Sequence, residues 1–383
     1  MLIPSFIATR LNAVLGPGFD AESASRRLTP IGALPWLRPA SLPALVLASF
    51  CALVLTAGCD RDAGRAVLAL SGSTMGTSYS VQVADPPPSI DGAALQRRID
   101  ALLADVNGLM STYQPDSELS RFNSSRSTDW FPVSAELARV VDQAQAVNAA
   151  SNGAFDVTVG PLVNLWGFGP DLKADQLPTQ PEIDAALANT GHDKLQVRLD
   201  PPALRKALPD LYVDLSAIAK GYGVDRVAEL LAGEGIANAL VEIGGELNGR
   251  GHNGRGEPWR IAVERPDPGA RSVFRVVPLR DMGMATSGDY RNFFTLDGKR
   301  YSHTIDPTTG RPVVHSLASV TVLAESSMQA DAWATALLVL GPELGFDLAQ
   351  ARGMAALLIS HDGERLSARS TEEFNAVTTG GDR

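Results

Sequence analysis

The sequence predicts an α+β fold in which mixed sheets pack against helices. Segments typical of strands alternate along the chain with segments at helical spacing, and no internal repeat at a solenoid period is present. The chain has 383 residues, of which 45% are hydrophobic and 20% are charged, so it is long enough to bury two cores or one large two-lobed core.

The charge pattern argues against nucleic acid as a partner. The formal net charge is −10 at pH 7, and no run of Lys or Arg is dense enough to neutralise a phosphate backbone. Because basic patches supply much of the affinity of nucleic-acid-binding proteins, we expect no such function here.

The N-terminal region predicts export and lipid anchoring. Basic residues precede an apolar segment at 44–57, which is 14 residues long, and roughly 20 residues are needed to span a bilayer. Gly58 and Cys59 follow, and a cysteine after small residues is typical of a lipoprotein cleavage site. We therefore predict a signal and lipoprotein leader at 1–58, a lipid on Cys59 and an anchor linker at 59–66. The alternative is an uncleaved signal anchor.

The two cysteines and the residue after the cleavage point indicate the compartment. Cys51 lies inside the apolar segment, so the mature chain keeps only Cys59 and forms no internal disulfide. Asp60 resembles the signal that retains lipoproteins at the inner membrane of enteric-type bacteria. We expect the domain on the periplasmic side of the bacterial inner membrane.

Helices are predicted where apolar residues recur at helical spacing and where a capping or breaking residue marks an end. Leu95, Ile99 and Leu103 follow this spacing in the first helix, and Asn152 with Gly153 ends the second. A loop is expected between them. The predicted helices lie at 95–110, 135–150, 181–189, 218–231 and 329–340, and the loop lies at 111–132.

Strands are predicted where short apolar runs are bounded by turn residues. Small residues at 71–77 interrupt the first strand and the triple proline at 86–88 ends it, while Asp297 and Gly298 are expected to turn a hairpin. The predicted strands lie at 67–83, 195–199, 211–215, 239–243, 260–263, 273–277, 318–323 and 355–360.

The segment 214–225 predicts an anion site at the start of a helix. A strand that ends in Asp214, a turn of small residues and Lys220 in the first helical turns place N–H groups, a helix dipole and an ammonium around one anion. Lys220 is one of only five lysines, which favours a functional role. The alternative is that Asp214 caps the helix and Lys220 is solvated.

Five loops combine glycine, hydroxyl groups and an acid. This composition lets the backbone approach a ligand closely and offers N–H donors and metal-binding oxygens. One such loop alone indicates only a turn, whereas five in one domain favour a large polar ligand held between lobes. They lie at 75–77, 153–158, 244–246, 286–290 and 303–310.

A metal site is predicted on the helix at 329–340. Asp331 and Thr335 are four residues apart, so the carboxylate and the hydroxyl lie on one helical face and can reach the same cation. Oxygen ligands favour magnesium or calcium, and the five histidines show no pairing typical of zinc. The alternative is that Asp331 caps the helix and Thr335 bonds back to helix carbonyls.

Six motifs, in order and spacing, resemble the ApbE family of FAD:protein FMN transferases. The resemblance covers about residues 68–365, nearly the whole mature chain. The motifs are DSELSRFN at 116–123, GAFDVT at 153–158, PLVNLWGFG at 161–169, DLSAIAKGYGVD at 214–225, SHTIDPTTG at 302–310 and ADAWATA at 330–336.

The resemblance implies a two-lobed, T-fold-like architecture over residues 67–370, with FAD between the lobes and a C-terminal tail at 371–383. It also implies Mg²⁺-dependent transfer of FMN from FAD to a threonine hydroxyl of a partner protein, through a phosphoester bond and with release of AMP. Implied acceptors include subunits of the Na⁺-pumping NADH:quinone oxidoreductase and of Rnf complexes. A metal-dependent FAD pyrophosphatase and a non-catalytic FAD-binding lipoprotein are the alternatives.

The resemblance also implies the roles of individual residues. The metal would be held by the backbone carbonyl of Ala217 and the side chains of Asp331 and Thr335. Ala334 stands where some members carry another acid, so its side chain cannot ligate a second ion. The FAD contacts fall on Met75, Tyr113, Ala154, Phe155, Asp156, Asp214, Lys220 and Ile305.

Three residues are predicted to be catalytic: Asp214, Lys220 and His303. Asp214 contacts the flavin nucleotide, and Lys220 helps to neutralise charge on the phosphates. His303 is the candidate base for the threonine proton, because a reference pKa near 6.5 suits that task. The alternative is that His303 only hydrogen-bonds within its loop. Asp225 is predicted to lie on the helix surface.

Overall fold

An eight-stranded sheet and eight α-helices make up most of the fold, which confirms the predicted α+β class. The computed structural model describes residues 66–169, 177–267, 272–290, 293–296, 299–363 and 365–379, to which all counts refer. The predicted leader, Cys59 and linker residues 59–65 lie outside the described residues, as does the hairpin turn at 297–298.

The strands and helices follow one another along the whole described chain. The strands are β1 (Val67–Thr74), β2 (Thr77–Ala84), β3 (Phe131–Pro132), β4 (Leu195–Leu199), β5 (Pro202–Lys206), β6 (Ala239–Ile243), β7 (Glu246–Arg250), β8 (Trp259–Glu264), β9 (Val273–Leu279), β10 (Met282–Gly288), β11 (Phe293–Leu296), β12 (Lys299–Ser302), β13 (Ile305–Asp306), β14 (Arg311–Pro312), β15 (Leu317–Ala324), β16 (Ala355–Asp362) and β17 (Arg365–Ser370). The helices are α1 (Gly92–Met110), α2 (Glu118–Ser124), α3 (Ala135–Ala150), α4 (Gly160–Leu165), α5 (Gln180–Ala188), α6 (Ala219–Gly233), α7 (Ser327–Ala351) and α8 (Glu372–Thr379).

The large sheet has the strand order β1-β2-β6-β7-β10-β15-β16-β17, and smaller sheets are formed by β3-β5-β4, β8-β9, β11-β12 and β13-β14. Every strand pair in the described residues is antiparallel, so the sheets are not mixed in direction. The strands β11 and β12 pair on either side of the predicted hairpin turn.

Both faces of the large sheet are buried. Leu358 of β16 packs with α7 on one face, while Leu357 and Ile359 pack with β8, β9 and Phe374 on the other. This alternation follows from the two-residue period of a strand. The helices α1 and α6 cover β2 and β6, and these four elements enclose a further core.

The first predicted strand is a hairpin rather than one interrupted strand. The strands β1 and β2 pair in register from Val67 opposite Ala84 to Thr74 opposite Thr77. Met75 and Gly76 form the turn with positive φ angles of 49° and 71°. The small residues that seemed only to interrupt a strand therefore reverse the chain, since glycine accepts such angles without strain.

The segment 211–215 is not a strand, contrary to prediction. The side-chain amide of Asn123 pairs with Val213, accepting from its N–H at 2.8 Å and donating to its carbonyl at 2.8 Å. The N–H of Asp214 donates to the carbonyl of Val157 at 2.7 Å. The run is apolar because it is buried, and these contacts replace the ladder of a strand.

Other differences concern segments with weak periodic signals. The predicted loop at 111–132 contains α2, and α4 forms between Gly160 and Leu165. The predicted tail contains α8, whose Phe374 is fully buried against the sheet. The helix α7 is longer than predicted and has a kink at Gly341, where φ is 81°. By length and composition α7 alone among the described helices could cross a membrane, but half of its apolar window is buried in the fold.

Candidate functional site

A cavity of about 610 Å³ brings most of the predicted site together. Eleven of the twelve predicted cofactor, catalytic and metal-binding residues within the described chain line it. Met75 does not line the cavity. Its side chain packs against the core that α1 and α6 enclose and against the neighbouring core around α3. The lining residues that were predicted are Tyr113, Ala154, Phe155, Asp156, Asp214, Ala217, Lys220, His303, Ile305, Asp331 and Thr335.

Side chains at the end of α3 hold the turn that follows this helix. The Asn148 side chain donates to the carbonyl of Phe155 at 2.7 Å, and the Phe155 N–H donates to the hydroxyl of Ser151 at 3.2 Å. Asp156 accepts from the N–H and hydroxyl of Thr158 at 2.8 and 2.7 Å. These contacts fix the backbone at the cavity wall, and they engage one oxygen of Asp156 in its own loop.

Asp214 shapes the turn before α6 and does not cap the helix. Its Oδ1 accepts from the N–H and hydroxyl of Ser216 at 2.8 and 2.6 Å. The residue before α6 is Ile218, which provides no side-chain cap. Tyr113 lines the same cavity, and the residue is 65% exposed. Partial burial, and then the Asp214 carboxylate, raise the pKa of the Tyr113 hydroxyl.

Lys220 is not solvated alone but joins two buried carboxylates. Its Nζ lies 3.0 Å from Oε1 of Glu246 and 3.6 Å from Oδ1 of Asp331. The exposed fraction is 28% for the Lys220 side chain, 5% for Glu246 and 3% for Asp331. Burial disfavours the ammonium, but the carboxylates of Asp331 and Glu246 outweigh it and raise the pKa of Lys220 above its ordinary value.

Glu246 is the site residue that sequence reasoning missed. Burial raises the pKa of its carboxyl to about 8, although the Lys220 ammonium acts in the opposite direction. Its Oε2 is buried at the cavity, and no residue in the described part of the chain donates a hydrogen bond to it. The only signal in the sequence was its place directly after Gly244 and Gly245, in one of the five glycine-rich loops.

Asp331 and Thr335 of α7 line the cavity together with Ala217. Asp331 does not cap α7, because the N-cap is Ser326. Its Oδ2 instead accepts from the N–H of Gly221 at 3.1 Å, and the Thr335 hydroxyl lies 3.1 Å from that of Ser287. In the described residues no group of three or more His, Cys, Asp or Glu side chains could hold a metal alone. The donor set is therefore one of mixed oxygens, which suits a hard cation.

His303 also lines the cavity and lies between β12 and β13. Its ring meets the edge of the Phe168 ring, with centroids 6.3 Å apart and planes at 69°. Phe168 in turn packs on Phe294, and Phe294 stacks on Tyr301. A row of aromatic rings therefore packs beside the imidazole.

Asp225 is not on the helix surface, contrary to prediction. Its Oδ1 accepts from the N–H of Ser327 at 2.8 Å, and its Oδ2 accepts from the N–H of Met328 at 2.9 Å. Burial raises the pKa of its carboxyl, while these hydrogen bonds oppose the shift. Asp225 therefore joins α6 to the first turn of α7.

Comparisons with known proteins identify the family. The model of the ApbE family matches residues 75–358. An FAD:protein FMN transferase of Vibrio cholerae is 50% identical over 313 residues, covering 82% of this chain and 92% of that protein. An FAD:protein FMN transferase of Escherichia coli K12 is 43% identical over 341 residues, covering 86% and 96%.

Solved structures give the same result. The flavin transferase ApbE from Vibrio cholerae aligns with a TM-score of 0.76 and 48% identity, covering 81% of this chain and 98% of that one. The apo form of Pseudomonas stutzeri flavinyl transferase ApbE aligns with a TM-score of 0.75 and 40% identity, covering 82% and 97%. The match in sequence and the match in fold both extend over most of the chain. The chain therefore belongs to the ApbE family.

Proposed function

We propose that this chain is a transferase that moves FMN from FAD to a threonine hydroxyl of a partner protein, with release of AMP. The observation that carries the proposal is one cavity of about 610 Å³ in which Lys220, His303 and the oxygens of Asp331 and Thr335 all take part. Ligand cavities of roughly 300–1,000 Å³ are usual. The names of the relatives, FAD:protein FMN transferase, support the same activity.

The residues at the cavity fit a magnesium ion. Asp331 and Thr335 offer a carboxylate and a hydroxyl, and Ala217, which lines the same cavity, offers a backbone carbonyl. The unpartnered Oε2 of Glu246 adds negative charge nearby when it is ionised. All these groups are oxygens, as Mg²⁺ prefers. When bound, the ion neutralises charge on the pyrophosphate oxygens of FAD.

The chain's own residues supply the remaining chemistry. His303 accepts the proton of the threonine hydroxyl, and the threonine oxygen then attacks the phosphorus of the FMN half. A new P–O bond forms to threonine, the pyrophosphate bond breaks, and AMP leaves with the bridging oxygen. Lys220 is held by two carboxylates and stays charged, so it stabilises the negative charge that moves onto the phosphates.

The setting of the enzyme belongs to the same proposal. The leader at 1–58 would direct export, and the lipid on Cys59 would hold the domain at the periplasmic side of the inner membrane. The acceptors would be exported or membrane-bound flavoprotein subunits, such as those of the Na⁺-pumping NADH:quinone oxidoreductase or of Rnf complexes. Labelling with radioactive fatty acid tests the anchor, and Cys59→Ala should abolish the label.

One assay tests the activity. The purified protein is incubated with FAD, Mg²⁺ and a threonine-bearing acceptor, and both the acceptor mass and the free FMN are measured. A gain of one FMN on the acceptor supports transfer. Free FMN without a change in acceptor mass would indicate an FAD pyrophosphatase, and neither product would indicate FAD binding alone.

The role of His303 has its own test. His303→Ala should retain FAD binding, measured by flavin fluorescence, and should lose most of the transfer rate. His361→Ala is the matched control, because His361 lies on β16 and does not line the cavity. Unchanged turnover in His303→Ala would eliminate the base role.

A further inference from the structure

Two carboxylates join α6 to α7, and each accepts hydrogen bonds from the backbone of the other helix. Asp225 on α6 accepts from the N–H groups of Ser327 and Met328 in the first turn of α7, at 2.8 and 2.9 Å. In the opposite direction, Asp331 on α7 accepts from the N–H of Gly221 on α6 at 3.1 Å. Each helix therefore binds, through its backbone, an acid of the other.

The two backbones are in direct contact between these acids. A Cβ atom placed on Gly221 would lie 2.3 Å from the carbonyl oxygen of Ser327, a distance that real atoms do not reach. The close approach sets the separation of the helices. The two acids then fix their relative orientation, because they bind at different turns.

The contact includes β7, which begins at Glu246. The Asn248 side chain donates to Oδ1 of Asp225 at 3.2 Å, and the Ser327 hydroxyl donates to the carbonyl of Leu247 at 2.8 Å. Asp225 thus lies at the junction of the three elements that carry Lys220, Asp331 and Glu246. It does not itself line the cavity.

We propose that Asp225 is a positioning residue for the cation site, which holds Asp331 and Thr335 in the place where they bind the ion. The inference rests on the cation site of the proposed function. Asp331 is four residues beyond Ser327, about 6 Å along the helix. A tilt of about 10° at the first turn would move it by about 1 Å, and Mg²⁺ demands oxygen distances near 2.0–2.1 Å.

A second cap on the same helix provides a matched control. The hydroxyl of Ser326 accepts from the N–H of Gln329 at 3.2 Å, so it also stabilises the start of α7. It makes that contact within its own helix and does not join α7 to α6. Loss of Ser326 should therefore weaken the helix start without turning α7 against α6.

The experiment measures the affinity for Mn²⁺ directly, by electron paramagnetic resonance of the purified protein without FAD. Asp225→Ala should raise the Kd for Mn²⁺ at least tenfold, and Ser326→Ala should change it less than twofold. Urea midpoints of both variants are measured in parallel. Asp225→Asn keeps one oxygen that can accept from Ser327, so its Kd should lie between those of wild type and Asp225→Ala, and it guards against a failure of the alanine variant to fold.

Three results would overturn the inference. Equal Mn²⁺ affinity in Asp225→Ala and Ser326→Ala would show that Asp225 is only a helix cap. An effect of Asp225→Asn as large as that of Asp225→Ala would assign the effect to the negative charge instead of the position. If Asp331→Ala left Mn²⁺ binding unchanged, the cation site of the proposed function would itself fail, which separates that failure from the other two.

Discussion

The carboxyl group of Glu246 should make the stability of this protein depend on pH, and Glu246→Gln removes that dependence. The side chain is 5% exposed and accepts from Lys220, whose Nζ also lies 3.6 Å from Asp331. Burial raises the pKa of the Glu246 carboxyl from 4.5 to about 8. Glutamine has nearly the same shape, can still accept from Lys220 through its amide oxygen, and does not titrate.

The sign and the size of the effect follow from the shifted pKa. The folded protein holds the Glu246 proton more tightly than the unfolded chain does. The contribution of this group to stability is therefore complete below pH 4.5 and is lost as the pH rises toward 8. At about 1.4 kcal/mol for each pH unit, the loss across that window is on the order of 5 kcal/mol. Because the group is almost fully buried, solvent screening reduces this figure little.

The assay is urea denaturation of wild type and Glu246→Gln at several values from pH 4.5 to pH 8.5, in EDTA and without FAD. The difference in the free energy of unfolding should be small at the acid end and should grow in favour of Glu246→Gln as the pH rises. Glu242→Gln removes a carboxylate from β6, the neighbouring strand, and controls for the loss of a charge. Parallel pH profiles for wild type and Glu246→Gln would refute the reasoning.

Three further predictions concern packing at the α6–α7 contact, at a buried lysine and at the kink of α7. Gly221→Ala should lower the free energy of unfolding by more than about 2 kcal/mol and weaken Mn²⁺ binding, because its Cβ would meet a backbone carbonyl of α7. Gly233→Ala is the control in the same helix: its Cβ would have no described atom within 4 Å, so it should stabilise the protein by up to about 1 kcal/mol. Urea denaturation and Mn²⁺ titration check both variants. Lys206→Met should destabilise the protein by roughly 2–4 kcal/mol in urea, since the buried ammonium donates to the carbonyls of three residues, and an unchanged urea midpoint would contradict this. Gly341→Ala should lower the thermal midpoint by several degrees, because the residue has a φ of 81° and its Cβ would lie 2.9 Å from the His315 ring; a midpoint equal to that of wild type would show that the kink can relax.

Local signals made the longer helices predictable. The helix α3 begins and ends where the sequence indicated, because Ser134 caps its start and Asn152 with Gly153 ends it, and both signals lie next to the helix in sequence. The strand β10 has the sequence MGMATSG, which lacks the residues typical of strands. It forms because it pairs with β7 on one side and β15 on the other, and neither partner is visible from its own residues.

The site was predictable where chemistry depends on residue type and spacing. Asp331 and Thr335 lie on one helical face in any regular helix, so their joint position followed from the sequence. The role of Glu246 could not be predicted in this way, because it depends on a contact with Lys220, which lies on α6, 26 positions earlier in the sequence. Asp225 was assigned to the surface since a charged residue in the middle of a helix is usually solvated, and only the contact with α7 changes that.

The placement of charge explains why the site needs so many backbone contacts. Two acids with 3% and 5% exposure face one ammonium, so the group has more negative than positive charge when Glu246 is ionised. Buried charge of this kind persists only where other groups hold it, and here the N–H of Gly221 does so for Asp331. A divalent cation at Asp331 would balance the excess, and Lys220 would then be less tightly bound to that carboxylate and better able to meet a phosphate. The affinity for the cation and the positioning of the lysine should therefore change together in any variant that alters Asp331, Glu246 or the α6–α7 contact.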